Sequence, residues 1–187
     1  MRLSLIPNLI TVFRFLLVPP IVLLLLRGQF GLALLLFLLA GFSDGLDGFL
    51  AKRYGWTTRL GGLLDPLADK LLLVSCYITL GGLGVIPVWL VAVVVARDLI
   101  ILAGAAVYHV HIAALEAEPS VISKINTLAQ ILLVLIALGG QIGLVPAAWP
   151  GYLVYTVLAT TVLSGADYVW TWGWRAWNSK HGTGRFP

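Results

Sequence analysis

Charge is what this sequence has least of. Of 187 residues, 11% are charged and 60% are hydrophobic, where soluble domains average about 25% and roughly 45–50%. Mean hydropathy is +0.99. The 12 Lys and Arg, 8 Asp and Glu and 3 His cannot cover a water-facing surface, which excludes a soluble globular domain, a disordered chain and a fibrous repeat. Cysteine is scarcer still. Cys76 stands alone, so no intrachain disulfide or cysteine-based metal centre can form. Strict alternation is also missing. The apolar runs are continuous, which argues against a transmembrane barrel and for helices. No cleavable signal peptide and no Arg/Ser-rich transit segment is read at the start. There is no internal repeat and no low-complexity tract, and no nucleic-acid partner is expected.

The expectation is an all-α polytopic integral membrane protein, with residues 1–187 forming a single membrane domain. Six spans are predicted, at residues 8–26, 30–53, 59–80, 86–108, 120–142 and 150–172. Each is near the roughly 20 residues that cross a hydrocarbon core. The intervening breaks are short except residues 109–119, which hold Glu116, Glu118 and two histidines. His109, His111 and His181 read as loop or tail residues. Trp149, Tyr152, Trp170, Trp172 and Trp174 read as an interfacial aromatic belt.

Six spans put both termini on one side of the membrane. That side collects Arg2, Lys52, Arg53, Arg59, Arg175, Lys180 and Arg185, against Arg27 on the other. The basic bias predicts both termini in the cytoplasm.

Asp44, Asp47, Asp65, Asp69, Arg97 and Asp98 fall inside predicted spans. A charge at the bilayer centre costs at least about 2.5–3.5 kcal/mol. Asp44 and Asp47 are i, i+3 on the second span, and Asp65 and Asp69 are i, i+4 on the third. Each pair shares a helical face. At about 1.5 Å per residue, Asp47 and Asp65 lie roughly 9 Å inside the cytoplasmic end, and Asp44 and Asp69 roughly 13–15 Å. Antiparallel neighbours joined by a short loop would bring the four together. Salt bridges to Arg97, Lys52 or Lys70 are one way to neutralise them, but those cations are too few for four carboxylates. Hard divalent cations, Mg²⁺, Mn²⁺ or Ca²⁺, suit such an all-oxygen set. Gly41 and Gly45 form a small-xxx-small pattern for close helix packing, while Gly48 and Gly61 read as space for a ligand beside the carboxylates.

The run Asp44, Asp47, Gly48, Ala51, Lys52, Gly61, Asp65, Asp69 closely resembles the CDP-alcohol phosphotransferase signature D-x2-D-G-x2-A-R-x8-G-x3-D-x3-D. Every gap is kept, and the one departure is Lys52 where the family has Arg, with Arg53 following directly. The resemblance implies transfer of a substituted phosphate from a CDP-linked donor to an alcohol, with release of CMP. It implies that Asp44, Asp47, Asp65 and Asp69 hold two divalent cations, Mg²⁺ or Mn²⁺, and that Asp69 is the general base. Asn8, Thr11, Asp44, Gly48, Ala51, Lys52, Arg53 and Gly61 would bind the CDP donor, with Lys52 or Arg53 offsetting phosphate charge. A homodimer and a bacterial inner membrane, with the active site facing the cytoplasm, are further expectations.

The opening Pro7-Asn8-Leu9-Ile10-Thr11-Val12-Phe13-Arg14 resembles that of phosphatidylglycerophosphate synthases and CMP-forming cardiolipin synthases, both users of CDP-diacylglycerol. Ala96-Arg97-Asp98 and residues 122–130 (ISKINTLAQ) are similar to segments of the cardiolipin synthases. Ser164-Gly165 near Tyr168 resembles their last helix. The implied acceptor is phosphatidylglycerol and the product cardiolipin, with glycerol 3-phosphate as the alternative acceptor. Arg97, roughly 16 Å from the cytoplasmic end of its span, and Lys124 would hold the acceptor's phosphate. Arg97 could instead pair with an aspartate of the cluster, and Lys124 could be a snorkelling interfacial lysine. Asn126 and Gln130 share a face and could be interhelical glue. A divalent-cation transporter and an inactive scaffold are the rivals from other classes. The exterior half of each span has no polar relay, and the aspartates are intact.

Overall fold

The computed structural model describes residues 6–54, 59–111, 120–146 and 149–180, with side chains described for 11–45, 67–104, 120–146 and 149–171. Among these residues are six helices and no strand. They are α1 (Ile6–Leu26), α2 (Phe30–Tyr54), α3 (Arg59–Gly82), α4 (Val88–His111), α5 (Val121–Gln141) and α6 (Trp149–Lys180). The all-helical expectation is met, and the helices follow the apolar runs.

Two helices outrun the apolar segments that announce them. α4 continues to His111, so His109 and His111 are helical rather than loop residues. Residues 105–111 contain no Gly or Pro to stop it. α6 has 32 residues, about 48 Å of helix, longer than a hydrocarbon core of about 30 Å. Apolarity ends near the membrane surface, whereas a helix ends only where its backbone is broken or capped.

Three of the connections share one device. Gly28, Gly84 and Gly143 have φ of +70°, +72° and +75°, the left-handed conformation that glycine adopts without strain. At each, two N–H groups turn back onto the preceding helix. Gly28 and Gln29 donate to Leu25 and Leu24, Gly84 and Val85 to Gly81 and Leu80, and Gly143 and Leu144 to Gly140 and Gly139. This is the Schellman cap, which satisfies carbonyls that a helix end leaves without partners. Each cap closes a hairpin of packed helices: α1 with α2, α3 with α4, and α5 with α6. A Cβ placed on Gly31 would lie 3.9 Å from Ile142 Cγ2, so the first and third turns meet.

α1 packs against both α2 and α3, α5 packs most extensively against α6, and α4 lies on α6. Among the described residues α2 and α3 do not pack on one another. α1 contacts both, and the residues next to the α2–α3 connection, where the expected pairing falls, lie outside those whose side chains are described. The interior is built from Ile21 and Leu25 of α1, Phe37 of α2, Cys76 and Tyr77 of α3, Leu90 of α4, Leu133 of α5 and Val157 of α6, all buried. Large apolar side chains also cover the exterior. Leu16, Phe42, Val88 and Leu163 are at least 60% exposed, which water would penalise and lipid would not. Among the described residues, Val121–Gln141 is the helix long and apolar enough to cross a membrane, and Thr11–Leu26 and Phe30–Gly45 are shorter apolar stretches. The architecture is that of a membrane protein in these respects.

Candidate active site

α1 supplies the centre of the site. Thr11 and Arg14 lie about one turn apart on one face of α1 and are fully buried. A buried arginine on an apolar helix needs partners. Arg14 Nη1 reaches Asp69 Oδ1 of α3 at 2.5 Å, and Arg14 Nη2 pairs with Asp44 Oδ1 of α2. The arginine side chain is 1% exposed, and the carboxylate side chains are 40% and 44% exposed. One guanidinium thus gathers two carboxylates from helices on either side of α1, leaving each carboxylate a face open to whatever enters. A Cβ at Gly41 or Gly45 would meet nothing within 4 Å. Among the described residues, therefore, no neighbour packs against Gly41 or Gly45.

Arg14 is what the sequence reasoning missed. It lies inside the first span, in the motif that opens at Pro7, far in sequence from the aspartates it pairs with. It adds one cation, shared by two carboxylates, to those the acidic motif can draw on. Among the described residues, Arg14 pairs with both Asp44 and Asp69, while Arg97 and Lys70 pair with Asp98; Lys52 lies outside the residues whose side chains are described.

A second polar cluster lies beside the first. Lys70 follows Asp69 in α3, and its Nζ donates to Asp98 Oδ1 of α4 at 2.7 Å. Arg97 Nη1 donates to the same oxygen at 2.7 Å. Arg97 Nη2 donates to Ser123 Oγ of α5 at 2.8 Å and also to Ser164 Oγ of α6. Arg97, 6% exposed, therefore ties three helices together while its Nε is buried without a partner. Its carboxylate partner is Asp98, not a member of the four-aspartate motif. Lys124 is exposed in the first turn of α5, a turn capped by Ser120 Oγ accepting from Ser123 N at 3.2 Å.

The seam continues between α5 and α6. Thr160 and Thr161 both donate to Asn126 Oδ1 at 2.9 Å. Tyr77 of α3 donates to the Gln130 carbonyl at 3.3 Å. Asn126 is thus interhelical glue, as its position suggested. Asn126 Nδ2 and Gln130 Nε2 are buried without a partner.

The structure brings Thr11, Asp44 and Asp69 around Arg14, and places Arg97 next to Ser123, the neighbour of Lys124. Asn8, Asp47, Gly48, Ala51, Lys52, Arg53, Gly61 and Asp65 lie outside the residues whose side chains are described, although each falls within α1, α2 or α3. Among the described residues no three potential metal ligands cluster. The chemistry of the site nevertheless fits a hard divalent cation. Two carboxylates from separate helices already converge on a positive charge, and their donors are all oxygen.

The signature of the CDP-alcohol phosphatidyltransferase family matches residues 4–164. This is a helical membrane-type chain whose carboxylate site sits within the family's matched region, and it belongs to the CDP-alcohol phosphatidyltransferase family. Among curated relatives, the cardiolipin synthase (CMP-forming) of Rattus norvegicus is 36% identical over 155 residues, covering 73% of this chain and 51% of that protein. The Homo sapiens cardiolipin synthase (CMP-forming) is 34% identical over 155 residues, covering 73% and 51%. That of Streptomyces coelicolor is 40% identical over 107 residues, covering 54% and 50%. The matches span about half the length of each of these relatives.

Proposed function

We propose that this chain transfers the phosphatidyl group of CDP-diacylglycerol to a hydroxyl of phosphatidylglycerol, forming cardiolipin and CMP. The observation that carries the reading is the convergence of Asp44 and Asp69, both signature positions, in one half-open site. Similarity to relatives named cardiolipin synthase (CMP-forming) supports the acceptor and product. Phosphatidylglycerophosphate synthesis from glycerol 3-phosphate is the competing outcome.

Asp44, Asp47, Asp65 and Asp69 would hold two divalent cations, Mg²⁺ or Mn²⁺, which supply charge neutralisation at the diphosphate and the leaving oxygen. Asp69 accepts the proton of the acceptor hydroxyl. The hydroxyl oxygen forms a bond to the phosphatidyl phosphorus. The bond from that phosphorus to the bridging oxygen breaks, and CMP leaves with the electron pair. Asn8, Thr11, Gly48, Ala51, Lys52, Arg53 and Gly61 bind the donor, and the open space beside Gly41 and Gly45 leaves it room. Lys124 and Arg97 supply positive charge for the acceptor's phosphate. Six spans, both termini in the cytoplasm, a homodimer and a bacterial inner membrane complete the reading.

The test is a CMP-release assay on the purified chain in detergent with CDP-diacylglycerol and phosphatidylglycerol. Release is expected with Mg²⁺ or Mn²⁺ and is expected to stop on chelation. Release unaffected by EDTA would overturn the metal-dependent reading.

A further inference from the structure

We propose that Arg14 is a resident counter-cation of the carboxylate site, one that competes with a divalent cation for Asp44 and Asp69. The inference rests on reading those aspartates as metal ligands. Three observations carry it. Arg14 is buried at 1% side-chain exposure, so its charge is not a surface ornament. Its two Nη atoms are divided between carboxylates of different helices, Asp44 of α2 and Asp69 of α3. α1, which bears it, packs on both of those helices, so the guanidinium lies where their carboxylates meet.

The electrostatics give the direction. Two carboxylates this close repel unless a cation lies between them. With Arg14 in place half of their charge is offset without metal, leaving one net negative charge for a further cation. A divalent cation binding these carboxylates must share or take their oxygens from the guanidinium and sit beside its positive charge, which weakens its binding. Removing the guanidinium therefore has two opposite effects. It destabilises the metal-free protein by leaving the carboxylates uncompensated, and it tightens metal binding. A residue that merely orients the ligands would do the reverse to metal affinity, and a residue that only glues helices would leave it unchanged. Arg14 is in this sense a positioning residue whose effect on the reaction runs through metal loading.

The experiment measures Mn²⁺ binding by electron paramagnetic resonance on the full chain in detergent. Thermal unfolding is followed in parallel by a thiol-reactive dye, since Cys76 is the sole cysteine and is buried. Arg14→Met is expected to bind Mn²⁺ at least about tenfold more tightly than the unchanged chain. Its Tm without metal is expected to fall, and the rise in Tm on adding Mn²⁺ to exceed that of the unchanged chain. Arg14→Lys keeps the charge but cannot fork onto two carboxylates, and is expected to lie between. If Arg14→Met does not fold, Arg14→Lys carries the test by itself. Equal or weaker Mn²⁺ binding in the Arg14 variant overturns the proposal. Asp44→Asn separates this failure from that of the underlying reading. If it leaves Mn²⁺ binding unchanged, the metal-ligand assignment falls and the counter-cation proposal with it.

Discussion

Asp98 holds two cations at once, and the asymmetry between them is testable. Arg97 is buried, and Lys70 has a side chain that is 37% exposed. Asp98→Ala leaves the Arg97 guanidinium buried without its carboxylate, and is expected to lower unfolding stability by about 3 kcal/mol or more. Lys70→Met leaves Asp98 paired with Arg97, and should lower it by less than about 1 kcal/mol. Equilibrium unfolding in mixed micelles measures both. At Asp69 the expected effect is on chemistry. Asp69→Asn would remove the proposed proton acceptor, so CMP release should fall by at least about 100-fold while CDP-diacylglycerol still binds. Retained turnover would remove Asp69 from the general-base role. The aspartates were legible because carboxylates are conspicuous in apolar spans. Arg14 was not, because it lies one helix before Asp44 and two before Asp69, and spacing does not show which helices meet. Neither Asp98 as the partner of both Arg97 and Lys70, nor the three-helix reach of Arg97, follows from spacing. Both depend on how α3, α4, α5 and α6 come together.

At the scale of elements, α4 and α6 meet at one crowded point. A Cβ on Gly104 would lie 2.8 Å from the Tyr168 hydroxyl, which donates to the Ile101 carbonyl at 3.1 Å. Gly104→Ala must push that ring aside and is expected to cost about 1–3 kcal/mol. Tyr168→Phe takes away the oxygen that the new methyl meets first. The double variant should therefore be more stable than the sum of the single effects predicts, and a double-mutant cycle reads the difference. Additivity would show that the contact is not what limits the crossing. The α5–α6 seam gives the complementary case. Asn126→Val removes the acceptor shared by Thr160 and Thr161, and is expected to destabilise by roughly 0.6–1.7 kcal/mol, the range of interhelical hydrogen bonds in membranes. The existence of all six helices was legible from apolar run length. Their far ends were not, because the extra turns of α4 and α6 are set by the absence of a backbone stop. The order of packing was hidden as well. Sequence adjacency does not suggest that α1 packs on both α2 and α3, as it does.

For the whole molecule, the turns bearing Gly28, Gly84 and Gly143 are proposed to face away from the cytoplasm, and the aspartate motif to lie toward it. A chain with Cys76→Ser and Gln29→Cys is expected to react with a membrane-impermeant maleimide added outside intact cells. Protection of that cysteine until the membrane is opened would reverse the topology. The family was legible in the spacing of seven residues over two helices, since a long motif with every gap kept has few accidental matches. The acceptor is a finer matter. On the proposed reading it would depend on Arg97 and Lys124, where charge for a phosphate can serve a phospholipid or a small alcohol phosphate alike. The most direct measurement is therefore product identification after incubating the purified chain with CDP-diacylglycerol, Mg²⁺ and isotopically labelled phosphatidylglycerol, with labelled glycerol 3-phosphate in a parallel reaction. The account predicts labelled cardiolipin formed in equal amount to CMP in the first reaction, with little CMP release in the second. CMP release with glycerol 3-phosphate and none with phosphatidylglycerol would contradict it.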